Sequence, residues 1–138
     1  MYKRILLAVD GSENSLRAVR DAFELARISE GAVELVYVID YPKMVNAMSH
    51  IDRIEQLDQQ HRQRLLPVES LLESEGILYE WTILRGEPGP TIVNYANANA
   101  FDLVVVGSRG RNPLQEFVIG SVSHKVLKRA RCPVLIVK

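Results

Sequence analysis

Five short apolar runs, separated by longer stretches of helical periodicity, constrain what this chain can fold into more than any other feature. Ile5-Leu6-Leu7-Ala8-Val9 is continuously apolar and stops at Asp10-Gly11, which is how a strand buried on both faces reads. Residues 33–39 repeat the pattern, interrupted only by Glu34. Leu103-Val104-Val105-Val106 ends at Gly107, and Val134-Leu135-Ile136-Val137 comes just before the last residue. The stretch 77–84 is more polar and reads as an edge strand.

The segments between these runs carry helix signals. Ser12 or Ser15 is placed to cap a first helix and Glu13 adds a favourable first-turn charge. Val19, Ala22, Phe23 and Ala26 then recur at helical spacing, and Gly31 follows the end. A second helical region over about 48–75 has an apolar stripe of Ile51, Ile54, Leu65, Val68 and Leu72, with Gly76 as its stop. Pro67 is expected to kink it or divide it in two. A third helix begins near Pro90 or Thr91 and carries Ile92, Val93 and Ala96, and a fourth begins at about Gly120 with Val122, Val126 and Ala130. Strands alternating with helices are βαβ units, which build a parallel sheet covered on both faces. The expected fold class is α/β, a Rossmann-like open five-stranded parallel sheet. No linker or composition shift divides residues 1–138, so one domain is expected.

Seventeen basic and seventeen acidic side chains leave no net charge. The cationic excess that drives nonspecific nucleic-acid binding is therefore missing. Arg109, Arg111, Lys125, Lys128, Arg129 and Arg131 crowd the last third but read as solvated helix faces. Cys132 is the single cysteine. It excludes an internal disulfide and a cysteine-rich metal site, and reads as a buried inert thiol. The apolar run after Lys3-Arg4 is broken at Asp10, and no 18-residue apolar span follows. No signal peptide or membrane partner is expected, and the location expected is cytoplasmic.

In open α/β sheets ligands bind beyond the carboxyl ends of the strands. Two strand ends here carry distinctive residues: Val9-Asp10-Gly11-Ser12, and the stretch GSRGRNPLQEFVIGSVSHKV that starts at Gly107. The latter spaces Gly107, two residues, Gly110, nine residues, then Gly120-Ser121. Glycines admit close backbone approach to a bulky anion, and a helix opening at Gly120-Ser121-Val122-Ser123 offers free N–H groups and a positive dipole end. Ser121 and Ser123 add hydroxyls, and Arg109 and Arg111 could supply charge. The spacing is neither a P-loop nor a dinucleotide fingerprint. Turn and capping chemistry explains the same glycines and serines without a ligand, so two readings stand on these residues alone. Asp10 likewise reads as a ligand contact or as a helix cap. His124, in the first turn of the fourth helix, reads as a phosphate contact or a surface residue. His50 and His61 show no metal-binding spacing, and no Ser-His-Asp arrangement is evident.

Taken together, ILLAVDGSENSLRAVRDAFELA, VYVID, DLVVVGSRG, the Gly-x2-Gly-x9-Gly-Ser spacing and the closing CPVLIVK resemble the universal stress protein family along nearly the whole chain. That resemblance implies five parallel strands in the order 3-2-1-4-5 with four helices. The glycine pattern marks the family's ATP-binding branch. It implies an adenine pocket walled by Ala8, Val9 and Val38, ribose contacts from Asp10 and Gly107, and phosphates held by Gly110, Gly120, Ser121 and Val122. Mg2+ or Mn2+ would ride on those phosphates. A homodimer through Val134–Val137 is also implied. The expected function is an ATP-binding stress-response module in which binding outweighs turnover. A slow ATPase, a receptor for AMP or another adenine nucleotide, and a ligand-free dimeric interaction module are the alternatives.

Overall fold

The computed structural model describes residues 1–40, 50–76, 78–108 and 120–138, with the backbone alone for 50–58. Its elements alternate: β1 Arg4–Ala8, α1 Glu13–Ser29, β2 Ala32–Ile39, α2 His50–Glu75, β3 Tyr79–Arg85, α3 Pro88–Ala98, β4 Leu103–Gly107, α4 Ser121–Arg129 and β5 Val134–Val137. The strands form one parallel sheet in the order β3-β2-β1-β4-β5. The fold class and strand order therefore agree with expectation. The polar third strand is an edge strand, and the first strand, apolar from Ile5 to Ala8, is central.

Alternation along the strands divides the core into two layers. Ile5, Leu7, Leu35, Tyr37, Leu103 and Val105 face α1 and α2, where Phe23, Leu65, Val68 and Leu72 meet them. Leu6, Val36, Val104 and Val106 face α3 and α4, where Ile92, Val93, Ala96 and Val126 meet them. Each fully buried side chain of this size contributes roughly 1.5–3 kcal/mol.

Local details refine the sequence reading. Ser12 is the cap of α1, its Oγ accepting from the Ser15 N–H at 3.1 Å. The left-handed residue after α1 is Glu30 (φ 53°), and not Gly31. Gly31 is required for space: a Cβ there would sit 2.5 Å from the Tyr2 carbonyl oxygen. α2 runs unbroken through Pro67. Pro67 lies on the exposed face between buried Leu65 and Val68, so the carbonyl it leaves without a donor meets water. α3 starts at Pro88, two residues before expectation, because proline's fixed φ suits the first helical position. Residues 41–49, between β2 and α2, lie outside the described residues.

Candidate functional site

The second and third strands end together in register, and the first stops three residues short of them. Ala8 pairs with Val36, and β2 continues three residues further beside β3. The Val9 N–H still reaches the Val36 carbonyl at 3.0 Å, and there the β1 ladder stops. The chain turns at Asp10, whose Oδ1 accepts from the Ser12 N–H at 2.9 Å. Gly11 takes φ 83° in that turn and lies against the Arg64 backbone of α2. Asp10 thus braces the turn while Ser12 caps the helix, so the expected choice between ligand contact and helix cap resolves against Asp10 as the cap.

Because β1 turns away, the β1-facing backbone groups of Val38 have no strand opposite them among the described residues. Ala8 and Val38 are half-buried and share the α3/α4 side of the sheet. Val9 is buried on the other side, among α1 and α2. Only its backbone is available at the crevice, and it does not wall a pocket with its side chain.

Across the crevice from β2, β4 ends at Gly107 and Ser108. The Ser108 N–H donates to the Val137 carbonyl, and its own carbonyl accepts from the Gly120 N–H, both at 2.7 Å. Gly120 caps α4 with φ −59° and ψ 154°, and among the described residues no side chain bonds the N–H groups of the first turn. The Gly120 N–H is committed to Ser108, so Gly120 can serve a phosphate by close backbone approach but not as a donor. The expectation for Ser123 is corrected. It is buried, and its hydroxyl donates to the Gly107 carbonyl, tying α4 to β4. The donors without a partner among the described residues at this helix end are the backbone N–H groups of Ser121, Val122 and Ser123 and the exposed hydroxyl of Ser121.

The helix starts at this edge differ in what they leave open. α1 is closed by Ser12 and already carries Glu13 in its first turn. α3 begins Pro88-Gly89-Pro90, which removes two donors, and Glu87 at its cap pairs with Lys125 at 3.1 Å. α4 has no side-chain cap among the described residues and no acidic residue in its first turn. Of the three it is the one open to an anion. Arg109, Gly110 and Arg111 lie outside the described residues. His124 is exposed.

Asn14, which the sequence reading passed over, and His61, which it weighed only as a metal ligand, come to this edge. Asn14, in the first turn of α1, is buried and donates to Ser108 Oγ at 3.2 Å, while its own oxygen accepts from Arg17 at 3.1 Å. A polar residue at a helix start normally reads as solvated, so nothing in the sequence marked it. His61 is also buried, with its Nδ1 bonded to the Tyr37 hydroxyl and the two rings edge to face. Among the described residues no group of three or more His, Cys, Asp or Glu side chains is placed to hold a metal ion. Cys132 is half-buried, and burial pushes its thiol up, which keeps it in the unreactive neutral form.

This arrangement matches a known pattern over its full length. The sequence signature of the Universal stress protein family covers residues 1–138. The chain belongs to that family. Universal stress protein MJ0531 of Methanocaldococcus jannaschii is 34% identical over 141 residues, covering 100% of this chain and 83% of that one. The solved structure of MJ0577 superposes with a TM-score of 0.87 at 29% identity, covering 100% of this chain and 96% of that one. The universal stress protein from Archaeoglobus fulgidus in complex with dAMP gives a TM-score of 0.70 at 26% identity, covering 99% and 98%. Among the described residues no helix of this universal stress protein is long and apolar enough to cross a membrane.

Proposed function

We propose that this universal stress protein binds an adenine nucleotide, ATP by preference, at the carboxyl edge of its sheet. Binding, with little or no turnover, is its activity in stress-response signalling. The observation that carries the reading is the uncapped N-terminus of α4 facing the place where β1 turns away from β2.

The chemistry divides along the crevice. Val38 offers a backbone N–H and carbonyl that no strand takes up, a donor beside an acceptor. Adenine presents the complement, the N1 acceptor beside the N6 donor, whereas guanine presents a donor and an acceptor in the reverse order. Ala8 and Val38 give the base an apolar wall. Asp10 keeps carboxylate acceptor capacity for ribose hydroxyls after bracing its own turn, and Gly107 brings backbone close to the sugar. The free N–H groups of Ser121 and Val122 and the Ser121 hydroxyl meet the phosphates at the positive end of the helix. Gly120 adopts a conformation open to any residue, so the backbone itself does not demand glycine there. Close approach of a phosphate does. Arg109 and Gly110 complete the cradle in this reading. A divalent ion, Mg2+ or Mn2+, would be held by phosphate oxygens and water, since the described residues offer no ligand cluster of their own.

The dAMP complex of the Archaeoglobus fulgidus relative supports an adenine ligand and keeps AMP as the competing choice. The same reading treats residues 1–138 as one domain and makes the protein a cytoplasmic homodimer. β5 is an edge strand whose Val134, Leu135 and Ile136 are only half-buried, a ready template for pairing with a second copy.

Calorimetric titration of nucleotide-free protein with ATP, AMP and GTP, beside a Gly120→Val variant, tests the proposal. ATP is expected to bind more tightly than AMP, and GTP at least tenfold more weakly. Gly120→Val is expected to lose ATP affinity about 100-fold while remaining folded. Equal affinity for ATP and AMP would replace the phosphate cradle with a monophosphate site. Absence of all nucleotide binding would leave the dimer as the functional unit.

A further inference from the structure

A part-buried hydrogen-bond relay crosses from α1 to the start of α4, and nothing in the nucleotide chemistry above uses it. Arg17 Nη2 donates to Asn14 Oδ1 at 3.1 Å, Asn14 Nδ2 donates to Ser108 Oγ at 3.2 Å, and the Ser108 carbonyl accepts from the Gly120 N–H at 2.7 Å. Asn14 is 8% exposed although it sits in a first helical turn. There an asparagine usually bonds to nearby backbone or to water. Here the amide is drawn inward and both of its ends are used.

Ser108 is where three parts of the molecule meet. Its N–H holds the Val137 end of β5, its carbonyl holds the cap of α4, and its hydroxyl is held by α1. The two helices approach from opposite faces: α1 packs in the layer with Phe23 and Val105, α4 in the layer with Val104 and Val126. Ser123 fixes α4 to Gly107 from its own side. Without Asn14, Ser108 would be held only by backbone bonds along the sheet edge. Hydrogen bonds to a phosphate weaken steeply with angle and within a few tenths of an ångström. The placement of the α4 donors relative to β4 is therefore what the relay controls.

Building on the proposed ATP reading, we propose that Asn14 is a positioning residue for the phosphate end of the site. Acting through Ser108, it sets the register of the α4 N-terminus while touching no ligand itself. The base and ribose end, formed by Val38, Ala8, Asp10 and the backbone of Gly107 that the sheet itself holds beside Val137, does not depend on it.

The experiment compares ATP and adenosine on wild type, Asn14→Ala, Ser108→Ala and the double variant, with folding checked by urea denaturation. Asn14→Ala is expected to weaken ATP about tenfold, the scale of one well-made hydrogen bond, and to leave adenosine within twofold. Ser108→Ala is expected to give a similar loss, and the double variant no further loss, because both act on one bond. Unchanged ATP affinity in Asn14→Ala, or equal losses for ATP and adenosine, or losses that simply add, would overturn the positioning role. Should Asn14→Ala fail to fold, the Ser108→Ala ratio of ATP to adenosine decides alone, since that change removes only a hydroxyl. A wild type that binds adenosine and ATP equally overturns the phosphate cradle itself, which is a different result from a selective wild type whose variants are unaffected.

Discussion

The two edges of the sheet are built from the same kinds of residue and are finished differently. At the amino edge the chain satisfies itself. Asp102 Oδ2 accepts from the N–H groups of both Lys3 and Arg4, at 2.9 and 2.8 Å. The Arg4 guanidinium lies over the Phe101 ring, 4.8 Å from its centre, and reaches the Ala100 carbonyl. The Ser29 hydroxyl donates to the Tyr2 carbonyl at 2.8 Å. Gly31 is pressed against backbone of this same chain. At the carboxyl edge, donors at α4 and backbone groups of Val38 face outward, and Gly120 has no conformational need to be glycine. A polar edge that closes on itself is architecture. A polar edge left open is where the proposed nucleotide would complete the hydrogen bonding.

The strongest way to break this contrast is to place a methyl group at each glycine's edge and compare what fails. Gly31→Ala drives a Cβ into the Tyr2 and Lys3 carbonyl oxygens. It is expected to destabilise the fold by about 3 kcal/mol, read from the urea midpoint. Gly120→Val is expected to show the converse, a large loss of ATP affinity with little change in that midpoint. If Gly120→Val instead unfolds the protein as Gly31→Ala does, the two glycines serve the same purpose and the contrast is lost. Asp102→Ala is next in size. It strips two strand-start N–H groups of their acceptor at an exposed position, at a cost of about 1.5 kcal/mol. ATP binding by the folded variant should be unchanged, and a loss of affinity would mean that the edges are coupled through β1 or β4.

The smallest effect probes a polar group inside the β2–α3 packing. Tyr95 donates its hydroxyl to Glu34, which also accepts from Thr82 at 3.2 Å. Burial first, and then the Glu34 hydrogen bond, push the Tyr95 phenol above its ordinary 10.0. A raised folded value means that the neutral phenol is favoured in the folded state. That contribution is complete below pH 10 and is lost as pH rises through the raised value. Tyr95→Phe should therefore cost about 1 kcal/mol at pH 7. The urea midpoints of the two proteins should converge as pH rises above 10, and a gap independent of pH would show that the hydroxyl is not the source.

Much of the fold was legible because its signals are local. A strand buried on both faces has to be apolar at every position, which is why Ile5 to Val9 and Leu103 to Val106 announced the two central strands. The mixed composition of β3 announced an edge. Glu34 broke an apolar run for a reason visible only across the chain, in Thr82 and Tyr95. In the candidate site, Asp10, Gly107 and Gly120 were marked by lying at strand and helix ends. Residue type indicated which groups are able to donate to a phosphate, but not which remain free to do so. The Ser123 hydroxyl read as a donor, and it is spent on the Gly107 carbonyl of β4.

By itself, then, the sequence determined the α/β class, the elements and the edge of the sheet where glycine and helix ends collect, because apolar period and helix punctuation act over a few residues. Only the tertiary structure decided that Val9 turns away from the crevice, that Gly31 serves packing, that Ser123 is a strut and that Asn14 reaches Ser108. Each of those outcomes depends on a partner distant along the chain, and a hydrogen bond already made within the fold is a donor no longer available to a ligand.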